Sequence, residues 1–247
     1  MGQITIFKKE DMIPAAFQEG YSATRILAET YEDVSLQICT LKAGVKKDFP
    51  VYSRQEKMQI FVFTAGDGVL ISGNKPFVID EQSVFIPNFD AEELSLMAGE
   101  EDLKFIHIVG EMNDVDRRQM DNCQYVLPRF VKFSQAIQYT ERFTQESGAK
   151  VKQHSIIAGR HLGRFTMGWV IGKDPDFVGQ HTHPALEQWY FMLQDADFIY
   201  DAGDTQIPVK EGDVSFTPHG ISHGSSCKED GFINYLWFEL NRAWDGI

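Results

Sequence analysis

His181-Thr-His-Pro-Ala-Leu-Glu-Gln-Trp-Tyr-Phe191, HTHPALEQWYF, is the stretch on which the reading of this chain turns. In an extended strand, residues two apart share a face. Read as one strand, the segment puts His181, His183 and Glu187 on a single face, together with Trp189 and Phe191. One wall of a β-structure then presents two imidazoles and a carboxylate, backed by aromatic rings. Tyr190 and Met192 fall on the opposite face and are expected to pack outward. A second segment, GDVSFTPHGISHG (212–224), supplies a tight turn at Pro218-His219-Gly220 and then His223. That turn can carry His223 across to the first strand. Three neutral imidazole nitrogens and one carboxylate oxygen suit a borderline divalent ion: Mn, Fe, Ni or Zn. An octahedral ion would keep two positions open for water or substrate.

The surrounding sequence is a series of short strands. VSLQICTL (34–41), MQIFVFTA (58–65), GVLIS (68–72), SVFIP (83–87) and LKFIHIVG (103–110) are rich in β-branched and aromatic residues, and turn residues bound them. A second set follows: RFTMGWVIG (164–172), EQWYFML (187–193), DFIYDA (197–202), DVSFTP (213–218) and FINYLWFEL (232–240). Many short strands with regular turn signals indicate an all-β sandwich or barrel. Residues 113–122 are polar and read as a short helix or linker; residues 129–140 are ambiguous.

The two sets are copies of one pattern. With Gly44 placed on Gly172, an offset of 128, GVKKDFPVYSRQEKMQIFVF lies over GKDPDFVGQHTHPALEQWYF without a gap. VFIPN (84–88) matches SFTPH (215–219) at an offset of 131. A repeat of this length means two similar barrels in tandem. The expected division is a degenerate N-terminal barrel, residues 1–122, and a metal-binding barrel, residues 123–247. In the first copy Ser53 and Gln55 replace the two histidines, Gln59 replaces Glu187, and Glu92 stands where His223 would be. One metal ion per chain is therefore expected.

The motifs resemble those of the cupin superfamily. HTHPALE has the form H-x-H-x3-E of the first cupin motif, and GDVSFTPHGISH has the form G-x5-P-x-G-x2-H of the second. The chain departs from the pattern at Pro175, Gln194 and Cys227, where the motifs carry Gly, Gly and Asn. The resemblance implies a bicupin: two tandem double-stranded β-helix (jelly-roll) barrels with minor helices, and His181, His183, Glu187 and His223 as the metal ligands. HTHPALEQWYFMLQDADFIYDAG (181–203) is further similar to the matching stretch of cupin 5-keto-4-deoxyuronate isomerases, in which the spacing to Glu is one residue longer. That similarity implies aldose–ketose isomerisation of a sugar or uronate through a metal-stabilised enediolate. His219, Tyr235 and Glu239 are candidates for the base. An Fe(II) dioxygenase and a non-catalytic sugar- or metal-binding module are the alternatives, since fold does not fix function.

Other features narrow the setting. Hydrophobic residues make up 43% and charged residues 24%, so a core can form without staples. The cysteines, Cys39, Cys123 and Cys227, form no CxxC pair, which argues against a disulfide framework. A net charge of −13 would be repelled by a phosphate backbone, so nucleic acid is not expected as a partner. The opening MGQITIFKKEDM holds no apolar run long enough for a signal peptide, and no stretch approaches the roughly 20 residues that span a bilayer. A cytoplasmic protein acting on a small carbohydrate or organic acid is expected, with homodimerisation open. His107 shares a strand face with Leu103 and Phe105 and reads as a core histidine. His154 and His161 lack ligand spacing and read as surface residues, and Arg160 and Arg164 read as salt-paired surface arginines.

Overall fold

The computed structural model describes residues 3–90, 93–122, 126–173 and 175–242. Strand accounts for 55% of the chain and helix for 8%, which settles the class as all-β. Contacts divide the chain into two compact units. One runs from Ile13 to Gln135, and the other joins Met1–Met12 to Ala136–Ile247. The sequence reading divides the chain at 122/123 instead. Two strand pairings account for the difference. The first strand, β1 (Thr5–Phe7), pairs with a strand at 214–217 in the second unit, and residues 129–132 pair within the first.

The unit Ile13–Gln135 holds ten strands among the described residues: β2 (Tyr21–Ile26), β3 (Val34–Leu41), β4 (Lys46–Asp48), β5 (Lys57–Ala65), β6 (Gly68–Ser72), β7 (Lys75–Ile79), β8 (Ser83–Ile86), β9 (Leu94–Ala98), β10 (Leu103–Glu111) and β11 (Arg129–Lys132). They form an antiparallel sheet in the order β11-β8-β5-β10-β3-β2 and a second in the order β4-β9-β6-β7. Phe61, Phe63, Phe85 and Phe105 of the larger sheet pack with Leu70, Leu94 and Leu96 of the smaller. Burying rings of this size supplies most of the drive for closing two sheets on one another. Residues 113–122 become a helix, α1 (Asp114–Asp121), because Asn113 and Asp116 form a capping box at its start.

The second unit contains β1 and, after β12 (Ile137–Tyr139) and helix α2 (Arg142–Ser147), the strands β13 (Lys152–Leu162), β14 (Phe165–Lys173), β15 (Asp176–His181), β16 (Leu186–Met192), β17 (Asp197–Ala202), β18 (Thr205–Lys210), β19 (Val214–Thr217), β20 (His223–Cys227) and β21 (Phe232–Asn241). One face has the order β1-β19-β16-β21-β14-β13-β12, and the other is built from β15, β20, β17 and β18. Val170, Tyr190, Met192 and Tyr235 from the first face meet Val178, Phe198, Tyr200 and Val209 from the second. Tyr190 and Met192 therefore point into the core, not outward. The reason lies at residues 182–185, which leave the strand and turn, so that the alternation of faces restarts at Leu186.

Candidate metal centre

β15 and β20 run antiparallel with His181 opposite His223. Their close approach depends on Gly224, where a Cβ would stand 2.8 Å from the Val178 carbonyl oxygen. His183 follows in the turn after β15, and that turn is tied down by the Gly220 N–H, which donates to the His183 carbonyl at 2.8 Å. Gly220 has φ +77°, a conformation that favours glycine, so the Pro-x-Gly pattern is a requirement of the turn. The result is that ligand atoms of His181, His183 and His223 all lie within 4.8 Å of one another. Among the described residues this is the group of His, Cys, Asp and Glu side chains close enough to share an ion.

The imidazoles are prepared for ligation. His181 Nδ1 lies 2.9 Å from the Gly179 carbonyl oxygen and His223 Nδ1 lies 3.1 Å from that of Ile221. A carbonyl can only accept, so each Nδ1 carries the hydrogen and each Nε2 keeps its lone pair. His223 is buried, and its Nε2 has no hydrogen-bond partner. Burial, reinforced by the neighbouring His181, pushes the His183 pKa down to about 4 and that of His223 down to about 3. Both are neutral at physiological pH, as ligation requires.

His181 and His183 border a small cavity of about 100 Å³, lined also by Gln188, Tyr190, Tyr235, Glu239, Glu141 and Gln153. Two of the three candidate bases, Tyr235 and Glu239, are at this cavity. Glu239 Oε1 is 4.0 Å from His183 Nε2 and accepts from Gln188 Nε2 at 2.6 Å. Its Oε2 accepts from Thr166 Oγ1 at 3.0 Å. Burial raises the Glu239 pKa to about 7, against these two hydrogen bonds, which lower it. Tyr235 stacks on Tyr190 with centroids 4.1 Å apart. Burial raises the pKa of both phenols, so they stay protonated.

Glu187 is not with the histidines. The parity that placed it there assumes an unbroken strand from 181 to 191, and the turn at 182–185 breaks it. Glu187 shares its face with Trp189, which packs against Phe216 and Phe238, while Gln188 and Tyr190 face the cavity. The Glu187 carboxylate accepts from His219 Nδ1 at 2.8 Å, the His219 N–H at 3.2 Å and Arg242 at 3.1 Å. It is a clamp on the Pro218-His219-Gly220 turn. His219, the third candidate base, is spent on that clamp and does not line the cavity. Glu141 and Gln153 carry no signal in the sequence. Gln188 carries one: it is in phase with the cavity once Pro184-Ala185 is read as a turn.

Outside the cavity, His154 stacks on Trp169. Arg164, expected at the surface, is instead buried and lies over the Phe165 ring.

Among the described residues of the unit Ile13–Gln135, the corresponding positions make no such group. Ser53 accepts backbone hydrogen bonds from Glu56 and Lys57, and the Gln55 N–H donates to Ser53 Oγ. Gln59 is buried and bonds the Pro50 carbonyl and His107 Nε2. Glu92 and Cys123 lie outside the described residues. His107 is the core histidine expected, stacked on Phe61 with centroids 4.5 Å apart. Core-facing Phe61 and Phe63 match core-facing Tyr190 and Met192, which makes the offset here 129. Gln59 therefore corresponds to Gln188, not to Glu187.

No family model matches the chain, and no curated protein matches its sequence. Solved structures do match its fold. A putative glyoxylate-induced protein from Pseudomonas aeruginosa superposes with a TM-score of 0.77 at 12% identity, covering 98% of this chain and 90% of that one. A cupin 2 conserved barrel domain protein from Leptotrichia buccalis gives 0.64 at 14% identity, covering 96% of each chain. Lactobacillus farciminis oxalate decarboxylase, as a formate complex, gives 0.70 at 12% identity, covering 96% of this chain and 86% of that one.

The fold is that of the cupins. Within this cupin fold, the orphaned His223 Nε2 and the two fixed tautomers are what a divalent ion needs, so the triad fits a metal. No described helix is long and apolar enough to cross a membrane.

Proposed function

We propose that the protein is a metal-dependent bicupin enzyme, an aldose–ketose isomerase of a sugar or uronate. Its second barrel works with one divalent ion (Mn, Fe, Ni or Zn) held by His181, His183 and His223. When bound, the ion supplies Lewis-acid polarisation of a substrate carbonyl. The proton transfer belongs to Glu239, and its placement is the observation that carries the reading. A base that takes a proton from one carbon and returns it to the next needs a pKa near the working pH. Burial raises the Glu239 pKa and the ion beside it would lower it, so the two effects oppose; its position beside His183, with both oxygens held, is what fits it for the role. Thr166 and Gln188 orient its two oxygens, and the protonated phenol of Tyr235, itself hydrogen-bonded to Tyr190, supplies a donor for a substrate hydroxyl.

The cavity, at about 100 Å³, is smaller than the roughly 150 Å³ site that admits benzene. It takes the carbonyl–hydroxyl end of a substrate, the remainder extending past the partly exposed His181 and His183. The test is anaerobic incubation of the metal-loaded protein with uronates and keto-sugars in D₂O. Isomerisation with deuterium incorporated beside the carbonyl is expected, and Glu239→Gln should lower the rate by about 100-fold or more. Strict dependence on O₂ consumption, or turnover without solvent exchange, refutes this reading. The cavity volume favours one second reading, action on a two- or three-carbon acid such as the substrate for which oxalate decarboxylase is named. Release of CO₂ from oxalate with no turnover of sugars would select it.

A further inference from the structure

We propose that the amide oxygen of Gln188, not the carboxylate of Glu187, is the fourth protein donor to the ion held by His181, His183 and His223. The proposal rests on reading that triad as a metal site. Gln188 is buried and lines the same cavity as His181 and His183. Its Nε2 donates to Glu239 Oε1, and a carboxylate oxygen requires a donor there, which fixes the orientation of the amide. The other end, Oε1, is buried without a hydrogen-bond partner. A buried acceptor left unpaired costs about 1–3 kcal/mol, so a native structure is expected to give it a partner.

The first unit provides an internal control. Gln59 occupies the matching position on β5, and both ends of its amide are engaged: Nε2 on the Pro50 carbonyl, Oε1 on His107 Nε2. Where the histidine triad is missing, the glutamine is satisfied by the protein alone. Where the triad is present, the oxygen is left over. Glu187 has no such vacancy, since three donors already occupy its carboxylate on the other face of β16. With Gln188 as donor all four ligands are neutral, and the carboxylates that balance the ion's charge are those of Glu239 and Glu141 in the cavity wall. The bond from Gln188 Nε2 to Glu239 then links the ion's ligand shell directly to the proposed base.

The experiment is Mn(II) titration of the chelator-stripped full-length protein, by calorimetry, for wild type, Gln188→Ala and Glu187→Gln. Gln188→Ala should weaken Mn(II) binding by on the order of 100-fold, and Glu187→Gln by less than about threefold. Unchanged affinity in Gln188→Ala, or its collapse in Glu187→Gln, overturns the proposal. Wild-type protein that binds no Mn(II), Co(II) or Zn(II) refutes the triad instead, which keeps the two failures apart. If Gln188→Ala does not fold, Gln188→Glu loaded with Co(II) decides. A change of ligand from amide to carboxylate must move the visible ligand-field bands, and a spectrum identical to wild type overturns the assignment.

Discussion

Replacing Glu187 by alanine should weaken the metal-free protein by about 2–3 kcal/mol while leaving its histidine triad intact. The carboxylate is buried, with 4% of its side chain exposed, and it accepts three hydrogen bonds. Hydrogen bonds to a charged group contribute about 1.5–3 kcal/mol each when both partners are buried. Here the partners are half in water: the side chains of His219 and Arg242 are 46% and 47% exposed. They regain solvent once Glu187 is gone, so most of each bond is recovered and the sum shrinks to the stated range. The loss is confined to the second unit. All four tryptophans, Trp169, Trp189, Trp237 and Trp244, lie beyond residue 136, so tryptophan fluorescence reports that unit alone. Urea unfolding followed by this signal, with EDTA present to remove metal linkage, gives the number. A midpoint equal to wild type refutes the clamp. A normal midpoint combined with lost metal binding would restore Glu187 as a ligand.

Two further perturbations probe the site and its degenerate counterpart. Gly224→Ala places a Cβ 2.8 Å from the Val178 carbonyl oxygen, forcing β20 away from β15 and His223 away from His181; metal affinity should fall at least tenfold by competition with a chelator, and unchanged affinity would show that the two strands have slack. His107 in the first unit has its pKa pushed by burial from 6.5 down to about 4, so the unfolded chain takes up a proton before the native one does. The stability tied to it is complete above pH 6.5 and is lost as pH falls to about 4, by roughly 3 kcal/mol. Unfolding by far-ultraviolet circular dichroism should show this slope flattened in His107→Gln; an equal slope in both proteins would place the effect elsewhere.

The fold was legible because β-branched runs and turn residues alternate at short intervals, and because the chain repeats itself. The Pro218-His219-Gly220 turn and His223 were legible for a local reason, a backbone conformation that only a small set of residues tolerates. The face of Glu187 was misread for an equally local reason. Strand parity carries information only while the strand continues, and Pro184-Ala185 ends it. One residue of turn moves Glu187 to the far face and brings Gln188 to the cavity, and the same residue shifts the repeat from an offset of 128 to 129. The one-residue difference in spacing from the uronate isomerases was visible in the sequence. Its meaning was not, since a shorter turn and a changed ligand look alike there. Glu141 and Gln153 reach the cavity from segments far away in the chain, and β1 joins β19 across some two hundred residues. No periodicity announces either.

Metal content is the measurement closest to the centre of the account. Elemental analysis of the full-length protein, purified without chelators, should find about one divalent transition metal per chain, and the double variant His181→Ala with His183→Ala should contain none while keeping the wild-type circular dichroism spectrum. A folded double variant that retains its full metal complement would contradict the assignment of the triad.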